Sequence, residues 1–224
     1  MDNIVGRLQS YFPHQQLQLM LGSLMGDARL ECRSIGKRAE HTARLRIHQS
    51  DKQKEYIFWK YDQVRNLVLR GPRYTKVWHD KKRNKDHFSW YFHTQTNEML
   101  GLLQTLFYQD RTKIVRPEVL KLIQPFGLAV WYMDDGSYNG NNITLNTHSF
   151  SELEQRMIQE MLQNKFEIIA TIVKDRSKLK IAIGSYQYEK FLDIVRPYVI
   201  PSMNYKVASP RNDLSRLAGQ IAVL

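Results

Sequence analysis

Two short apolar stretches that end in aspartate are the part of this sequence best suited to chemistry. The first runs from Leu19 to Asp27 and the second from Leu128 to Asp135, and each is followed by a small residue. Both patterns predict a buried helix with a carboxylate at its C-terminal end. The last carbonyls of a helix lack intrahelical partners and carry partial negative charge, so a carboxylate there is unfavourable unless a cation is bound. Two such ends side by side would make an oxygen-rich site for a divalent metal ion.

Composition limits the classes of protein to consider. The chain has 224 residues, of which 42% are hydrophobic and 25% charged, which is ordinary for a globular protein with a sizeable core. No stretch approaches the roughly 18 apolar residues that cross a bilayer, and the first ten residues lack the features of a secretory signal. Cys32 is the single cysteine, which excludes an intramolecular disulfide and a cysteine-based zinc site. We therefore expect an intracellular protein with no membrane partner.

The net charge of +11 indicates a polyanionic partner. The alternative on charge alone is a basic structural or ribosome-like protein. Composition does not distinguish DNA from RNA.

Alternating residues predict the strands that would surround the aspartates. Residues 29–33 and 44–48 place apolar side chains on one face and mostly arginines on the other, a pattern that suits phosphates and guanine edges. Residues 74–79 and 87–93 predict a hairpin with a basic turn at 81–85. The histidines of this hairpin could ligate a metal, but alternation on an open strand face favours DNA contact.

The remaining elements repeat one order in both halves. Helices are predicted over residues 14–26, 50–69, 97–108, 117–125, 128–135, 151–164 and 185–195, with residues 1–16 irregular. Capping-box patterns at Ser50 and Ser151 mark two helix starts, and strands are predicted over residues 143–147, 167–173 and 178–183. The sequence therefore predicts an α+β protein of two pseudo-symmetric halves, 1–112 and 113–224, folded as one compact unit. Two four-stranded sheets would form a concave, positively charged surface with the motif helices at its centre.

These motifs resemble those of the single-chain, two-motif LAGLIDADG homing endonucleases. The first copy, Met20 to Ala28, keeps a glycine at the third position, and the second, Leu128 to Gly136, keeps the Asp-Gly ending. The first departs from the family at Ala28, and the second has Val130 and Trp131 where smaller residues are frequent. The segments 145–150 and 196–206 are also similar to members of this family, so the resemblance covers nearly the whole chain.

The resemblance implies an αββαββα fold in each half and cleavage of both strands of a long, nearly palindromic DNA site. It implies Mg²⁺ as cofactor, with Mn²⁺ able to substitute and Ca²⁺ supporting binding without cleavage. Asp27 and Asp135 would ligate the metal, and the carbonyls of Gly26 and Asp134 would add coordination. The implied catalytic lysines are Lys113 and Lys206, and Gln49 and His148 are candidates for positioning water.

Asp134 adjoins the implied ligand Asp135. Adjacent helical side chains diverge by about 100°, so we expect Asp135 to face the partner helix and Asp134 to lie peripherally.

The expected DNA contacts lie on the polar strand faces and basic turns. They are Arg29, Glu31, Arg33, Arg44, Arg46, His48, Lys76, Lys82, Arg83, His87, Ser89, Tyr91, Tyr138, Thr144, Asn146, Lys174, Arg176 and Lys180. The partner would be double-stranded DNA, bound by a monomer in an organelle or in a prokaryotic cytoplasm. The alternative function is an intron RNA maturase, or a catalytically silent DNA-binding relative, on the same scaffold.

Overall fold

The computed structural model describes residues 2–32 and 43–208. The predicted DNA contact Arg33 lies outside these residues. The helices are α1 (Asp2–Tyr11), α2 (His14–Met25), α3 (Lys54–Gln63), α4 (Glu98–Phe107), α5 (Pro117–Leu122), α6 (Pro125–Asp135), α7 (Glu152–Phe166) and α8 (Tyr188–Val195). The strands are β1 (Arg29–Glu31), β2 (Arg44–Ser50), β3 (Arg73–Asp80), β4 (Lys85–His93), β5 (Tyr108–Gln109), β6 (Thr112–Lys113), β7 (Gly136–Tyr138), β8 (Ile143–Leu145), β9 (Ala170–Asp175) and β10 (Lys178–Ile183).

The predicted fold class is confirmed by the order of these elements. The first half runs α2-β1-β2-α3-β3-β4-α4 and the second runs α6-β7-β8-α7-β9-β10-α8. Each half forms an antiparallel four-stranded sheet, in the order β1-β2-β4-β3 and in the order β7-β8-β10-β9. The two sheets thus share one topology.

The chain divides into two compact units, residues 1–134 and 135–224. The first unit includes almost all of α6. This division therefore falls later in the chain than residue 112, the predicted end of the first half. The repeat boundary itself stays a prediction.

The prediction of an irregular N-terminus was wrong, because α1 covers most of it. Leu8 and, just after the helix, Phe12 are buried and attach this segment to the first unit. Their spacing of four residues is helical, but the many polar residues between them hid the pattern.

The helix predicted over residues 50–69 is shorter in the structure. A 3₁₀ turn, Asp51–Gln53, precedes α3, and a second one, Arg65–Leu67, follows it. The Ser50 side chain makes no capping bond. The predicted capping box at Ser151 is present, since its hydroxyl accepts from Glu154 N and the Glu154 side chain accepts from Ser151 N.

The two motif helices, α2 and α6, pack closely in the first unit. A Cβ added to Gly22 would collide with the Gly127 carbonyl oxygen and lie 2.8 Å from Val130 Cβ. A Cβ added to Gly26 would lie 2.5 Å from Asp134 Cβ. The glycines of α2 therefore provide the space that the larger side chains of α6 occupy.

The first sheet separates its two faces by strict alternation. Leu45, Ile47 and Phe92 are buried on the face that meets the helices. Because directly opposed residues share a face, the strand pairing places a polar set on the other side: Arg29, Glu31, Arg44, Arg46, His48, Ser89, Tyr91, His93 and Arg73. Among the described residues, no helix is long and apolar enough to span a membrane.

Candidate active site

The first motif ends in an exposed carboxylate. Helix α2 ends at Met25, and Asp27 follows two residues later with its side chain exposed. The Gln49 amide, on β2, donates to Asp27 Oδ2 at 3.3 Å. Gln49 is opposite Trp90 on the helix-facing side of the sheet, which is why it reaches the end of α2. The structure thus places the predicted metal ligand Asp27 beside the predicted water-positioning residue Gln49.

Lys113 lies at the same helix end. Its Nζ donates to the carbonyl oxygens of Leu24 at 2.8 Å, Gly26 at 3.1 Å and Ala28 at 2.8 Å. A cation at this position offsets the partial negative charge of the helix terminus. The Gly26 carbonyl, predicted as a metal ligand, is therefore bonded to the predicted catalytic lysine.

The second motif end is built in a similar way within the second unit. Asp135 is the last residue of α6 and is partly buried, and its carbonyl accepts from Asn146 N at 3.1 Å. Lys206 Nζ donates to the Gly136 carbonyl at 2.8 Å. Ala28 and Gly136 both occupy the ninth motif position, so the two predicted lysines bind equivalent backbone oxygens, each within its own compact unit.

Asp134 does not lie peripherally as expected. It packs against Gly26 of the partner helix, and its carboxylate is fully buried with Lys60 Nζ at 2.6 and 2.8 Å. Gln49 Nε2 also donates to Asp134 Oδ1 at 3.1 Å. Burial raises the pKa of the Asp134 carboxyl, an effect that the Lys60 ammonium opposes and the nearby Asp27 carboxylate reinforces. The expectation failed because the seventh-position side chain faces a glycine, which leaves room for it in the interface.

The other water-positioning candidate, His148, has a different setting from Gln49. Its Nε2 lies 3.1 Å from Asp175 Oδ2, and it lines a cleft with residues 175–178. The residue equivalent to Gln49 in the second half follows from strand register. Arg29 and Ser137 each lie two residues after a motif aspartate, and they pair with Arg46 and Thr144. Three residues further along, Gln49 therefore corresponds to Thr147. A water-positioning role for His148 stays a prediction.

The polar face of the first sheet is organised by one carboxylate. Glu31 accepts two bonds each from Arg29 and Arg44, and one from Arg46 at 3.4 Å. Burial favours its protonated form, but the hydrogen bonds from Arg29 and Arg44 hold the pKa of Glu31 down to about 2. Glu31 therefore stays ionised and fixes three predicted DNA-binding arginines in place.

His48 and its neighbours form a cleft beside Asp27 with a volume of about 390 Å³. Burial lowers the pKa of His48, and the charges of Arg46 and Arg29 lower it further. Ser89 is buried and lies 2.5 Å from His48 Nε2. The prediction that Ser89 contacts DNA is therefore corrected: it supports His48.

Aromatic rings extend this polar face. Tyr91 lies edge-on to His48, with the Arg46 guanidinium 5.1 Å from its ring centroid. His87 stacks on the exposed Trp78 at 4.3 Å between centroids. Trp78 was absent from the predicted contacts, because a bulge after Lys76 moves it onto this face and breaks the alternation that the sequence suggests.

Lys76 lies on the opposite face of the same sheet. It is paired with Phe88 rather than Ser89, and its Nζ lies 2.7 Å from Asp86. This corrects its assignment to the DNA-facing group. Lys82 and Arg83 are exposed in the turn between β3 and β4, as predicted for a basic turn.

The second sheet carries a smaller polar face. Thr144 and Lys180 lie on one side, where Lys180 pairs with Asp175 at 2.9 Å. Asn146 is exposed just after β8. Tyr138 is partly exposed on β7 but is paired with the buried Ile143, so it lies on the face opposite Thr144, and its assignment to the DNA-facing group is corrected. Arg176 is exposed in the turn between β9 and β10, with φ of 57°.

Lys174 is placed on the other side of this sheet. It pairs with Leu179 and so shares a face with Ile172 and Ile181. Its assignment to the DNA-facing group is corrected, since the side-chain period of two puts Val173 and Asp175 on the face of Lys180.

The donor chemistry of both motif ends fits Mg²⁺. This ion prefers oxygen ligands and keeps several of its waters, so one or two carboxylates suffice to hold it. Asp27 is exposed just beyond the end of α2, and Asp135 is the partly buried last residue of α6, so each motif end offers a carboxylate. Within residues 2–32 and 43–208, no cluster of three or more His, Cys, Asp or Glu side chains forms a metal site of its own.

Two αββαββα halves, each with a carboxylate-terminated motif helix and a polar sheet face, define a class of DNA-cutting proteins. The chain belongs to the LAGLIDADG DNA endonuclease family, whose model matches residues 17–191. It is 30% identical over 210 residues to DNA endonuclease I-ChuI of Chlamydomonas applanata, covering 87% of this chain and 94% of that protein. It is 28% identical to the cytochrome b mRNA maturase bI2 of Debaryomyces hansenii, covering 87% of this chain and 74% of the maturase.

A solved structure supports the fold. The homing endonuclease I-WcaI bound to its DNA recognition sequence matches with a TM-score of 0.79 and 24% identity, over 91% of this chain and 92% of that one. The chain also matches longer proteins, and it spans about half the length of RecA from Mycolicibacterium flavescens, at 27% identity.

Proposed function

We propose that this chain is a site-specific endonuclease that cuts both strands of a long DNA target by metal-dependent hydrolysis. Family membership and the similarity to a DNA endonuclease over most of both chains support this function. The observation that carries the proposal is the repeated motif end, in which an aspartate lies beside a carbonyl bound by a lysine: Asp27 with Lys113, and Asp135 with Lys206.

In this mechanism Asp27 and Asp135 would hold Mg²⁺, which would supply Lewis-acid chemistry by lowering the pKa of water and offsetting phosphate charge. The chain's own residues bind and orient the substrate. Gln49 holds the Asp27 carboxylate through a hydrogen bond, and the Lys113 and Lys206 ammonium groups stabilise negative charge that develops near each helix end.

The polar sheet faces would bind the duplex. Arginines of the first sheet can contact guanine edges or phosphates, and the Glu31 carboxylate fixes their geometry before DNA arrives. We expect the protein to act as a monomer inside a cell, in an organelle or a prokaryotic cytoplasm, with Mn²⁺ able to replace Mg²⁺.

Selection of cleaved molecules from a randomised duplex library tests this function. The expected result with Mg²⁺ is one extended recognition sequence with a cut mapped in each strand, and no cutting with Ca²⁺. Binding of that sequence without any cut would contradict catalysis and favour a silent DNA-binding relative.

The second candidate is an RNA maturase, which the similarity to the bI2 maturase favours. Its test is a splicing assay with an intron that interrupts the DNA site obtained in the selection. Faster splicing with this protein, retained in Asp27→Asn, would establish the maturase function separately from cleavage.

A further inference from the structure

A chain of hydrogen bonds connects the first motif end to the interior of the first unit. Lys60 Nζ donates to both carboxylate oxygens of Asp134 at 2.6 and 2.8 Å. Gln49 Nε2 donates to Asp134 Oδ1 at 3.1 Å and to Asp27 Oδ2 at 3.3 Å. The side chains of Lys60 and Asp134 thus lie one side chain away from the implied metal ligand Asp27.

Stability alone is a weak reason to keep this buried pair. Both side chains are fully buried, and removing two charges from water costs several kcal/mol per ion, which their attraction often does no more than offset. A buried ion pair of this kind can instead define the orientation of its neighbours.

The neighbour that the pair orients is Gln49. A glutamine amide presents two hydrogens on its nitrogen and an acceptor on its oxygen. Because an ionised carboxylate only accepts hydrogen bonds, the Asp134 carboxylate favours the orientation in which the Gln49 amide turns its nitrogen toward it, and the same nitrogen also donates to Asp27. Lys60 supplies the positive charge that lets the Asp134 carboxylate lie near a second carboxylate.

We propose that Lys60 and Asp134 are positioning residues for Asp27, acting through Gln49, an inference that rests on the proposed endonuclease function. This arrangement of Lys60, Asp134 and Gln49 is found at the first motif end. Gly26 occupies the seventh position of the first motif and has no side chain that could accept a hydrogen bond as Asp134 does. Thr147, the register equivalent of Gln49, donates its hydroxyl to Gln155 at 3.0 Å.

Two matched double variants test this role without leaving an unpaired buried charge. Lys60→Met with Asp134→Leu removes the pair and the acceptor for Gln49, and such apolar replacements of buried ion pairs are often neutral for stability. Lys60→Met with Asp134→Asn also removes both charges but keeps an amide oxygen for Gln49 to bind. The measurements are the cutting rate of each strand of the selected target, the Mg²⁺ concentration for half-maximal rate, and thermal unfolding.

The Leu variant should lose about 10–100-fold in cutting, the usual effect of removing the partner of a metal ligand. It should need more Mg²⁺, and the loss should be larger at one strand than at the other. The Asn variant should recover most of the rate at a similar unfolding temperature, which a merely structural role would not produce.

Wild-type rates at both strands in a folded Leu variant would overturn the inference, as would equal losses in the Leu and Asn variants or equal losses at both strands. If the Leu variant does not fold, Gln49→Leu is measured instead, because this change keeps the Lys60–Asp134 pair. The same strand-selective loss of cutting is expected, and unchanged cutting would overturn the inference. A wild-type protein that cuts no duplex would overturn the proposed function and this inference with it.

Discussion

The two motif ends share an aspartate and a lysine-bound carbonyl but differ in the residues around them. In the first, Gly22 and Gly26 carry no side chain, and the aspartate is held by a glutamine. In the second, Val130 and Asp134 occupy the space beside these glycines, while Gly127 approaches Gly22 directly. The difference shows that the two helices are not identical in shape: a glycine pair makes the closest approach, and larger residues of α6 fill the space next to it.

This packing explains how a tight helix crossing tolerates Val130 and Asp134. Close approach of two helices needs small residues at the contact, and Gly22 and Gly127 supply them from both helices. Of the departures of the second motif from the family pattern, Val130 is accommodated by Gly22.

Removing either motif aspartate should have the largest effect. A catalytic metal contributes several kcal/mol to transition-state stabilisation, so Asp27→Asn and Asp135→Asn should each reduce double-strand cleavage by about 100-fold or more. Folding and Ca²⁺-supported DNA binding should stay largely intact. Strand-resolved cleavage assays check this, and full activity in either variant would show that the two ends are not both catalytic.

Filling the space beside Gly22 of α2 should have the next largest effect. Gly22→Ala places a methyl group against the Gly127 carbonyl and Val130, and overpacking of this kind costs about 1–3 kcal/mol. Gly6→Ala in α1 is the matched control, since nothing lies within 4 Å of its added Cβ. Chemical denaturation should show a loss for the first variant and none for the second; equal stabilities would mean that the crossing is not close.

The arginines of the first sheet should have a similar effect on binding. Arg44→Ala or Arg46→Ala should weaken specific DNA binding by about 1–3 kcal/mol if the side chain contacts a base edge. Titration at several salt concentrations measures both affinity and its salt dependence. If neither quantity changes, this sheet face does not bind the duplex.

The smallest effect is expected when the carboxylate that holds these arginines is neutralised. Glu31→Gln should raise non-specific DNA affinity and steepen its log–log salt dependence by about 1, while discrimination between sequences falls because the arginines are no longer fixed. Asp175→Asn makes the same charge change in the second sheet, where the carboxylate holds Lys180 and His148, and should alter discrimination less. Equal losses would contradict a special role for Glu31.

The Glu31→Gln variant should also change how the stability of the fold depends on pH in acid. The folded-state pKa of Glu31, about 2, lies below its ordinary value of 4.5, so its ionised form stabilises the fold above that value and this contribution is lost as the pH falls toward 2. Glu31→Gln should therefore flatten the decrease in stability over this pH range, as measured by denaturation at each pH.

The sequence predicted the fold well where its patterns were periodic. The two motif helices, the hairpin of β3 and β4 and the repeated element order all follow from apolar spacing and from the resemblance of the motifs. Helix α1 was missed because Leu8 and Phe12 are separated by polar residues, so that its packing depends on partners far along the chain.

Some residues predicted for the first motif end do lie close together in the structure, but the residues that surround them were not predicted. Asp27, Gln49 and Lys113 do lie together. Lys60 could not be found, because a lysine in a mixed aromatic helix gives no sign that it is buried against Asp134. The sheet face on which Lys76 and Lys174 lie depends on strand register. A bulge or a shift of one residue moves a side chain to the opposite face, and the sequence did not predict these details.

The packing of α2 against α6 also bears on which of these helices can pair. Two α6 surfaces placed face to face would bring valine against valine and carboxylate against carboxylate, which disfavours pairing of α6 with itself. The glycines of the first motif raise no such barrier, because residues without a side chain permit close backbone approach. The choice of partner is therefore encoded in α6 and not in α2.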